Sequence, residues 1–553
     1  MDKPLKPLAL AWLLFPVLAA WGQLQTVGTL LNSPESHHGY TLLDPMGTGN
    51  THLINNCGEV VNSWTSDFAS GGACYLLEDG SLVRGCRIQG AFSGGGVGGK
   101  LERRSWDGDL LWTLNWADDE KHHHHDFAWM PNGHVLVLAW ELKTANDAAL
   151  AGRTNPQTMW PESITEIAPT LPEGGTVVWE WHAWDHLIQD TDEALANHGD
   201  PSDHPHRIDV NHANVGGGGG PGGASSGDWM HANAVNYNPQ LDQIAISSRR
   251  FNEVWIIDHG ITSEEAAGPA GDLLYRYGNP EAYGRGDAND QKLFGQHDVQ
   301  WIPEGHPQAH QLMVYNNGDN RPGCDCSTID VWEPPLLEDG TYAIDDVEPF
   351  GPTVETWVYP ESPNTSFFSP NISGVQPLAG GNFLVCQGAN GRLFEVTQSG
   401  SVVWEYINPE GNFGVSIQGN TPQQNAVFRA YRYDALYPGL ADKDLTPGEP
   451  LEGLAGFSCE LFEEVADGVQ AVGNPMVRLA FPNPANHAVT LHAPSSGRWV
   501  ASNALGQVVW EALANASTDQ TFDCTTWPEG ILFISFENDD RSVRLAQRLF
   551  IKH

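Results

Sequence analysis

Short apolar runs alternate with glycine-containing turns along most of the chain. A turn of the Asn-Gly or Asp-Gly kind precedes one apolar run, a second run follows, and another glycine turn leads into a run with tryptophan or tyrosine. This last run recurs at residues 108–114, 175–181, 271–277 and 400–406. A sheet-forming unit repeated at roughly 40 to 80 residues is typical of a β-propeller, because each four-stranded blade buries its faces only against its neighbours. The pattern therefore predicts an all-β fold with a six-bladed β-propeller.

The predicted propeller occupies residues 23–436. Its blades are expected to begin near Tyr40, Ala73, Phe127, Ala234, Val299 and Ser373, a count accurate to one blade. The insertion at 185–227, which contains the glycine run 216–220, should form a loop on one face of the propeller. Residues 437–473 hold Pro-Gly pairs and a glutamate-rich patch, which predicts a linker. Alternating apolar runs within 474–553 predict a small C-terminal β-sandwich.

The N-terminus has the pattern of a secretory signal peptide. Lys3 and Lys6 precede a mostly apolar run at 8–20, and Ala20-Trp21-Gly22 is a small-x-small cleavage site. We predict a signal peptide at 1–22, the alternative being a buried N-terminal strand. No later stretch approaches about 18 apolar residues, so we predict no membrane span.

The charge balance narrows the class of ligand. The chain has 27 Lys and Arg against 69 Asp and Glu, a formal net charge of −42. Binding to nucleic acid or to an anionic membrane needs clustered basic residues, so neither is expected as a partner. If the substrate is an anion, its binding site must be locally positively charged although the protein as a whole is negatively charged.

Eight cysteines in an exported chain are more consistent with disulfides than with metal ligands. Cys74 and Cys86 flank a predicted hairpin at 78–81 and are the best candidate pair. The spacing of Cys324 and Cys326 is too tight to predict a bridge between them. No second Cys-x-x-Cys accompanies them, so a structural zinc is not expected.

Three histidine motifs precede strand-like runs in three different repeats. They are His122-His123-His124-His125-Asp126, Met230-His231-Ala232-Asn233 with Ser247-Ser248-Arg249-Arg250 downstream, and Gln296-His297-Asp298. His231 and Asn233 are two residues apart and share a face of an extended segment, and a turn at 238–242 would bring Arg249 back beside them. Neutral imidazole can attack phosphorus or sulfur, imidazolium can protonate a leaving oxygen, and arginine can hold an oxyanion with two hydrogen bonds. The motifs predict one site for an anionic substrate, with sulfuryl transfer as chemistry that uses all of these groups.

These motifs resemble the bacterial arylsulfate sulfotransferases over roughly residues 40 to 435. The resemblance rests on His231-Ala232-Asn233-Ala234-Val235 through Ser247-Ser248-Arg249, on His125-Asp126 before Met130-Pro131-Asn132-Gly133, and on Gln296-His297-Asp298. It implies a periplasmic or secreted six-bladed propeller that moves a sulfuryl group from a phenolic sulfate ester to another phenol, with no nucleotide donor and no cofactor. Its partners would be an aryl sulfate donor and a phenolic acceptor.

The resemblance also implies a role for each candidate residue. His297 is similar to the transiently sulfurylated nucleophile of a ping-pong mechanism. His231, Asn233 and Arg249 are similar to the sulfate-binding and acid–base group, and His125 to an additional histidine. The run of four histidines leaves His124 open as the alternative to His125.

The C-terminal module resembles the sorting domain of type IX secretion in Bacteroidota. The matching motifs are Phe481-Pro482-Asn483-Pro484-Ala485-Asn486, Ala504-Leu505-Gly506-Gln507-Val508-Val509, Trp527-Pro528-Glu529-Gly530-Ile531-Leu532 and Gln547-Arg548-Leu549-Phe550-Ile551-Lys552. This implies the type IX machinery as a partner and a secreted or cell-surface location. An adhesive or carbohydrate-binding sandwich is the alternative.

Two other functions fit the same sequence. The propeller can be a non-catalytic secreted module for adhesion or glycan binding. It can also be a metal-dependent hydrolase or lyase, since the run 122–125 and the histidines of the 185–227 insertion are metal ligands by type, although no His-Glu-x-x-His spacing occurs.

Overall fold

The structure is a computed structural model and describes most of the chain. Described are residues 25–216, 227–360, 362, 364–453 and 459–462, and then 480–481, 488–493, 496–502, 508–514, 518–528, 530–538 and 544–551. The predicted signal peptide, residues 1–22, lies outside the described residues, as do parts of the predicted linker. The chain divides into two compact units, residues 1–462 and 463–553.

The first unit is a six-bladed β-propeller, as the repeat pattern predicted, and each blade is an antiparallel sheet. From the innermost strand outward, blade 1 is Val427–Asp434, Gly39–Pro45, Asn50–Asn55 and Val60–Thr65; blade 2 is Ser70–Leu76, Leu82–Arg87, Gly99–Arg104 and Leu110–Asn115; blade 3 is Lys121–Trp129, Val135–Glu141, Glu162–Pro169 and Gly175–His182. In the same order, blade 4 is Ala232–Asn238, Gln243–Ser248, Glu253–Asp258 and Tyr275–Tyr277; blade 5 is His297–Trp301, Leu312–Asn316, Thr328–Trp332 and Trp357–Tyr359; blade 6 is Gly374–Pro377, Phe383–Gln387, Arg392–Val396, Val402–Ile407 and Gly28–Asn32.

The ring closes at two places. The innermost strand of blade 1, Val427–Asp434, comes from the end of the propeller sequence, and the outermost strand of blade 6, Gly28–Asn32, comes from its beginning. The innermost strands of neighbouring blades contact one another all the way round. The six inner strands therefore surround one channel, and all of them run in the same direction along it.

Buried tryptophans connect successive blades. The indole N–H of Trp64 in blade 1 donates to the carbonyl of Ser105 beyond the third strand of blade 2, and that of Trp112 in blade 2 donates to Gly174 in blade 3. The indole of Trp181 in blade 3 donates to Gly271, which leads into the last strand of blade 4. A buried tryptophan removes a large apolar area from water and its N–H needs a partner. The tryptophan-bearing runs seen in the sequence are thus contacts between blades.

Short elements connect these strands. Among the described residues, the α-helices are Ala145–Leu150 and Ser263–Ala266, and the 3-10 helices are Ala183–His186, Pro201–Asp203, Pro269–Gly271, Pro280–Tyr283, Gly388–Asn390 and Pro438–Leu440. Small two-stranded sheets are formed by Leu187–Ile188 with Ile208–Asp209, and by Glu410–Gly411 with Gly414–Val415. None of the helices found among the described residues has both the length and the apolar character required to cross a membrane.

The second unit is also made of strands. One sheet contains Ala480–Phe481, Ala488–Ala493 and Thr518–Asp523, and the other contains Val508–Ala514, Gly497–Ser502, Gly530–Asn538 and Arg544–Ile551. Its core includes Val489, Leu491, Trp499, Leu532 and Ile534. Two sheets around one apolar core are the arrangement expected of a β-sandwich.

The predicted disulfide between Cys74 and Cys86 is wrong. Both thiols are free and buried, because a bulge offsets the two strands and places Cys74 opposite Arg84 and Cys86 opposite Ser70. The disulfides of the described residues are Cys57–Cys459 and Cys324–Cys326. The first joins positions 402 residues apart in sequence, a pairing that no local pattern could indicate.

Candidate active site

A cavity of about 680 Å³ lies at the end of the channel where the inner strands begin. Blade 3 contributes His125 to its lining, blade 4 contributes His231 and Arg249, and blade 5 contributes His297. The remaining lining residues are mostly small or apolar: Met46, Gly95, Gly96, Asp319, Pro370, Asn371, Ile372, Ala389 and Ala426. The structure thus brings together the three histidine motifs and the arginine that the sequence singled out.

The backbone at the inner strands turns these side chains toward the cavity. His125 has φ 56°, His231 has φ 51° and Asp298 has φ 60°, so each motif contains one residue in the left-handed region. The register of each inner strand also shifts at or next to these positions. A non-glycine residue in this region costs of order 1–3 kcal/mol and persists where the surrounding structure holds it, which is common at functional sites.

His297 has one ring nitrogen held by the protein and the other facing the cavity. Its Nδ1 lies 2.7 Å from Oδ1 of Asn317 and 3.0 Å from the carbonyl of Gly295. The amide of Asn317 donates to the carbonyls of Ser369 and Ile372, which fixes its oxygen toward the histidine. Burial, followed by the charge of Arg249, lowers the pKa of His297 well below its usual value. His297 is therefore neutral over a wide pH range.

His231 is paired with a buried carboxylate. Its Nδ1 lies 2.5 Å from Oδ2 of Asp228, which is itself 1% exposed. Burial alone would raise the pKa of Asp228, but His231 and Arg250 outweigh it and hold the pKa below its usual value. The contact of Nδ1 with Asp228 orients the ring of His231 and leaves its Nε2 directed away from that carboxylate.

Arg249 is the cation that lines the cavity. One of its terminal nitrogens donates to Oδ2 of Asp319 at 2.7 Å and to the carbonyl of Pro370 at 3.4 Å. Burial lowers the pKa of Arg249, but an arginine stays charged. Within the described part of the chain, its Nε and second terminal nitrogen make no hydrogen bond to protein. An adjoining cavity of about 450 Å³ shares Arg249 and Asp319 with this one.

His125, and not His124, lines the cavity. The ring of His125 lies 4.7 Å from that of His231 between centroids, while His124 is completely buried behind it and stacks on Trp140. His122 and His123 are also buried, with no side chain in the cavity lining. The conspicuous run of four histidines therefore supplies one cavity residue.

Asn233 is close to the site but does not line the cavity. Its amide nitrogen donates at 2.8 Å to the carbonyl of Gln296, the residue before His297. The residue is completely buried. Asn233 thus contacts the backbone next to His297 in blade 5.

Arg429, which no sequence motif indicated, contacts one residue of each of the three histidine motifs. It donates to Asp126 at 2.7 Å and to the carbonyl of Asn233 at 2.6 Å, and its Nε lies 3.2 Å from Asp298. Burial opposes its charge, but Asp126 and Asp298 raise the pKa of Arg429 well above its usual value. Arg429 lies between the histidine cavity and a second cavity of about 640 Å³ at the opposite end, which it helps to line.

A glycine-rich segment of blade 2 closes against the histidines. The carbonyl of Gly96 accepts a hydrogen bond from the His125 backbone N–H at 2.8 Å, and a Cβ built on Gly96 would lie 2.1 Å from the His125 ring. A Cβ on Gly95 would lie 3.4 Å from the His231 ring. Position 96 therefore requires glycine, whereas a Cβ at position 95 would be in ordinary van der Waals contact with His231. The signal available in the sequence was the glycine-rich segment 94–99, in which only Val97 is not glycine.

The histidine-rich segments are engaged in contacts within the protein. Across the residues that the structure describes, no group of three or more His, Cys, Asp or Glu has an arrangement that could hold a metal ion. In the insertion at 185–227, His186 instead contacts Asp272 and His206 contacts the carbonyl of Leu273.

Similar solved structures share little sequence identity with this chain. A protein of unknown function from Bacteroides caccae is 12% identical, with 72% of this chain and 99% of that chain covered and a TM-score of 0.39. The periplasmic gluconolactonase of Pseudomonas aeruginosa is 10% identical, with 72% and 97% covered and a TM-score of 0.35. A catalytically inactive virginiamycin B lyase from Staphylococcus aureus is 9% identical, with 69% and 87% covered and a TM-score of 0.30. No curated protein matches the chain.

Two family models match the sequence. The secretion system C-terminal sorting domain matches residues 479–552, which indicates export to the cell surface or secretion and implies the secretion machinery as a partner. The model described as arylsulfotransferase (ASST) matches residues 107–432, and this supports an arylsulfotransferase activity in general terms. That match includes all of the cavity histidines and Arg249, and it spans more than half of the chain. The protein therefore belongs to the arylsulfotransferase family.

Proposed function

We propose that the protein transfers a sulfuryl group from a phenolic sulfate ester to an acceptor phenol, with His297 carrying the group between the two half-reactions. The observation that carries this proposal is the pair of acceptors at Nδ1 of His297. Both partners of its Nδ1, Asn317 Oδ1 and the Gly295 carbonyl, are acceptors, so Nδ1 must carry the proton. The lone pair is then on Nε2, and the ring lines the cavity.

A neutral imidazole whose nitrogen lone pair faces the cavity can act as a nucleophile toward sulfur. The Nε2 lone pair of His297 would form the N–S bond while the S–O bond to the phenol breaks and its electron pair goes to the phenolic oxygen. The sulfurylated ring becomes positively charged and keeps its Nδ1–H. The two acceptors on Nδ1 stabilise that charge, since hydrogen bonds to a charged group are stronger than neutral ones.

Arg249 and His231 are placed to bind the sulfuryl oxygens. Arg249 has donors that no described protein group uses, and Nδ1 of His231 is held by the buried carboxylate of Asp228, which leaves Nε2 of that ring for a ligand. Donors that are already in place stabilise charge that develops during transfer, typically by a factor of about 10² to 10³ for each donor. Asn233 would not contact the substrate. Its amide donates to the Gln296 carbonyl and so positions His297.

The apolar part of the cavity suits the aromatic rings. Met46, Pro370 and Ile372 line it beside the histidines, and the adjoining cavity at Arg249 is bordered by Phe294 and Pro322. Donor and acceptor phenols would occupy this region in turn. In the second half-reaction the acceptor oxygen attacks the sulfuryl group on His297 and restores the free imidazole.

Mass analysis of the protein after incubation with an aryl sulfate, without acceptor, tests this proposal. We expect one sulfuryl group on the peptide that contains His297, and its loss when a phenol is added. The His297→Ala variant should form no adduct and release no phenol, while His198→Ala, which removes an exposed histidine outside the cavity, should behave as the wild type. Turnover by His297→Ala would disprove the nucleophile assignment. Inhibition by EDTA would favour a metal-dependent hydrolase or lyase instead.

A further inference from the structure

Glu162, His124 and His125 form a hydrogen-bonded chain that leads from the interior to the cavity. Oε2 of Glu162 lies 2.7 Å from Nε2 of His124, and Nδ1 of His124 lies 2.8 Å from Nδ1 of His125. Glu162 is 1% exposed, His124 is 0% exposed and His125 is 2% exposed. Only His125 lines the cavity.

Contacts on every side hold this chain in place. The ring of His124 stacks on Trp140 with 4.0 Å between centroids and 12° between planes. The other oxygen of Glu162 accepts the backbone N–H of Ala232 at 2.8 Å, directly after His231. Both nitrogens of His124 and both oxygens of Glu162 are therefore engaged. The sulfuryl-transfer chemistry proposed for His297, His231 and Arg249 does not use them.

The environment disfavours charge on all three groups. Burial raises the pKa of Glu162 well above its usual value and the carboxylate of Asp228 raises it further, although the hydrogen bond from the Ala232 N–H and the charge of His231 oppose this. Burial likewise lowers the pKa of His124 well below its usual value. These two pKa shifts favour a neutral carboxylic acid at Glu162 beside a neutral imidazole at His124.

Burial and the neighbouring basic side chains have the same effect on His125. Burial lowers the pKa of His125 well below its usual value, and His231, His124, His297 and Arg429 lower it further. An imidazolium at this position is therefore unfavourable. If His125 exchanges a proton with a substrate, it must pass the charge on.

We propose that Glu162, His124 and His125 form a proton relay that gives a proton to the departing phenolate and recovers one from the acceptor phenol. The relay rests on the sulfuryl transfer proposed above and assigns Glu162 and His124 as positioning and proton-storing residues. His125 is the member that meets the substrate oxygen.

The protons balance over the cycle. At rest, the carboxylic acid of Glu162 donates to Nε2 of His124, whose Nδ1–H donates to Nδ1 of His125, so that Nε2–H of His125 faces the cavity. When the phenolate leaves, it takes that proton; His125 then receives one from His124, and His124 receives one from Glu162. Glu162 becomes a carboxylate and neither imidazole carries a charge. The acceptor phenol, as its oxygen attacks the sulfuryl group, returns a proton along the same path.

Glu162→Gln tests the relay, because the amide keeps the size of the side chain and the bond to Ala232 but cannot store the proton. Glu166→Gln is the matched control. Glu166 lies on the same strand, is buried, and contacts His134 at 2.6 Å and His259 at 3.1 Å outside the cavity. Both variants would be assayed with a series of aryl sulfates whose leaving phenols differ in pKa.

The relay predicts that the loss of kcat in Glu162→Gln depends on the pKa of the leaving phenol. General acid catalysis contributes typically 10² to 10⁴ in rate, and the contribution is largest when the leaving group is most basic. We expect Glu162→Gln to lower kcat by about 10²-fold for a basic phenol and to change it little for an acidic nitrophenol. Glu166→Gln should leave kcat unchanged across the series. An equal loss for all donors, or none, would overturn the relay.

Infrared spectroscopy tests the stored proton without relying on turnover. The resting wild-type protein should show the carbonyl band of a protonated carboxylic acid that is missing in Glu162→Gln. Addition of an aryl sulfate without acceptor should remove that band as the sulfo-enzyme forms. Absence of the band at rest disproves the relay even if transfer is observed. A band present at rest in a protein that forms no adduct on His297 disproves the proposed function and, with it, the role of the relay.

Discussion

At the scale of single residues, the site depends on a few backbone positions in unusual conformations. His125 and His231 both lie in the left-handed region, with φ of 56° and 51°. Each is then held by hydrogen bonds: the N–H of His125 by Gly96, and the carbonyl of His231 by the N–H of Arg249. The histidines and the arginine are thus placed by backbone contacts between strands, which leaves their side chains free to meet a ligand.

Arg249→Lys should lose most of the transfer activity. Lysine keeps the charge but not the planar fork that can bind two oxygens of one sulfuryl group. We expect kcat to fall by about 10²-fold, as for the loss of one preorganised donor. Arg103→Lys, an arginine of blade 2 beside the opposite cavity, is the control and should keep wild-type kinetics. Equal kinetics for Arg249→Lys and wild type would remove the proposed role of the guanidinium.

Gly96→Ala should damage the site with little effect on the rest of the protein. A Cβ at this position would lie 2.1 Å from the ring of His125, and Gly96 has φ 75°. The ring must move, and misplacement of about 1 Å can cost around 10²-fold in rate. Gly108→Ala, where a Cβ meets nothing within 4 Å and φ is 92°, controls for backbone strain alone. Steady-state kinetics of the two variants, compared at equal folded fraction, separate the two effects.

The sequence indicated the cavity residues better than the groups that support them. His125, His231, Arg249 and His297 belong to local motifs, and the structure places all four in one lining. Glu162 is 38 residues from its partner His124, and no local pattern connects the two. Asn317, Asp319 and Arg429 were missed for the same reason: each reaches the site from another strand or blade.

At the scale of secondary-structure elements, the repeat predicted the blades but not the closure of the ring. The second strand of blade 1, Gly39–Pro45, begins where the first repeat was expected, at Tyr40. Its inner neighbour is Val427–Asp434, which comes from the other end of the propeller sequence. A periodic pattern shows that a unit recurs, but it does not show which distant strands pair with each other.

Trp181 tests how much one contact between blades contributes. It is completely buried in the last strand of blade 3, and its indole N–H donates at 2.8 Å to the carbonyl of Gly271. Trp181→Phe should cost about 1–3 kcal/mol, mainly by leaving that carbonyl unpaired, and Trp181→Ala about 3–5 kcal/mol. Unfolding in denaturant, followed by fluorescence, measures both. A larger loss of unfolding free energy in Trp181→Phe than in Trp181→Ala would show that the apolar contact of Trp181 contributes little to stability.

At the scale of the whole molecule, an anionic donor must approach a negatively charged protein. The net charge is −42, and the cations at the cavity are few. Long-range repulsion between like charges is screened by salt, whereas the contacts inside a cavity are screened much less. We therefore expect kcat/KM for an aryl sulfate to rise as ionic strength increases from low values, with kcat nearly constant. A fall of kcat/KM over that range would indicate attractive steering by a local positive field instead.

The buried histidines also connect the stability of the propeller to pH. Burial, followed by the charges of His124 and His122, lowers the pKa of His123 to about 3, whereas an unfolded histidine titrates near 6.5. Its Nδ1 accepts the N–H of Gly99 at 3.1 Å, and the side chain is completely buried. Between these two pKa values the unfolded chain binds a proton that the folded protein does not. The free energy of unfolding therefore falls as the pH drops below about 6.5.

His123→Asn isolates this contribution, because asparagine can still accept the bond from Gly99 but does not titrate. Relative to the variant, the wild type should lose about 2 kcal/mol of unfolding free energy between pH 7 and pH 5, which is the proton-binding advantage of the unfolded histidine. Denaturant unfolding of both proteins at each pH measures the difference, and the effects of carboxylates and net charge cancel between them. A constant difference across this range would mean that His123 titrates normally in the folded protein. Since His122, His124, His125 and His297 have pKa values shifted in the same direction, the intact site itself should make the propeller sensitive to acid.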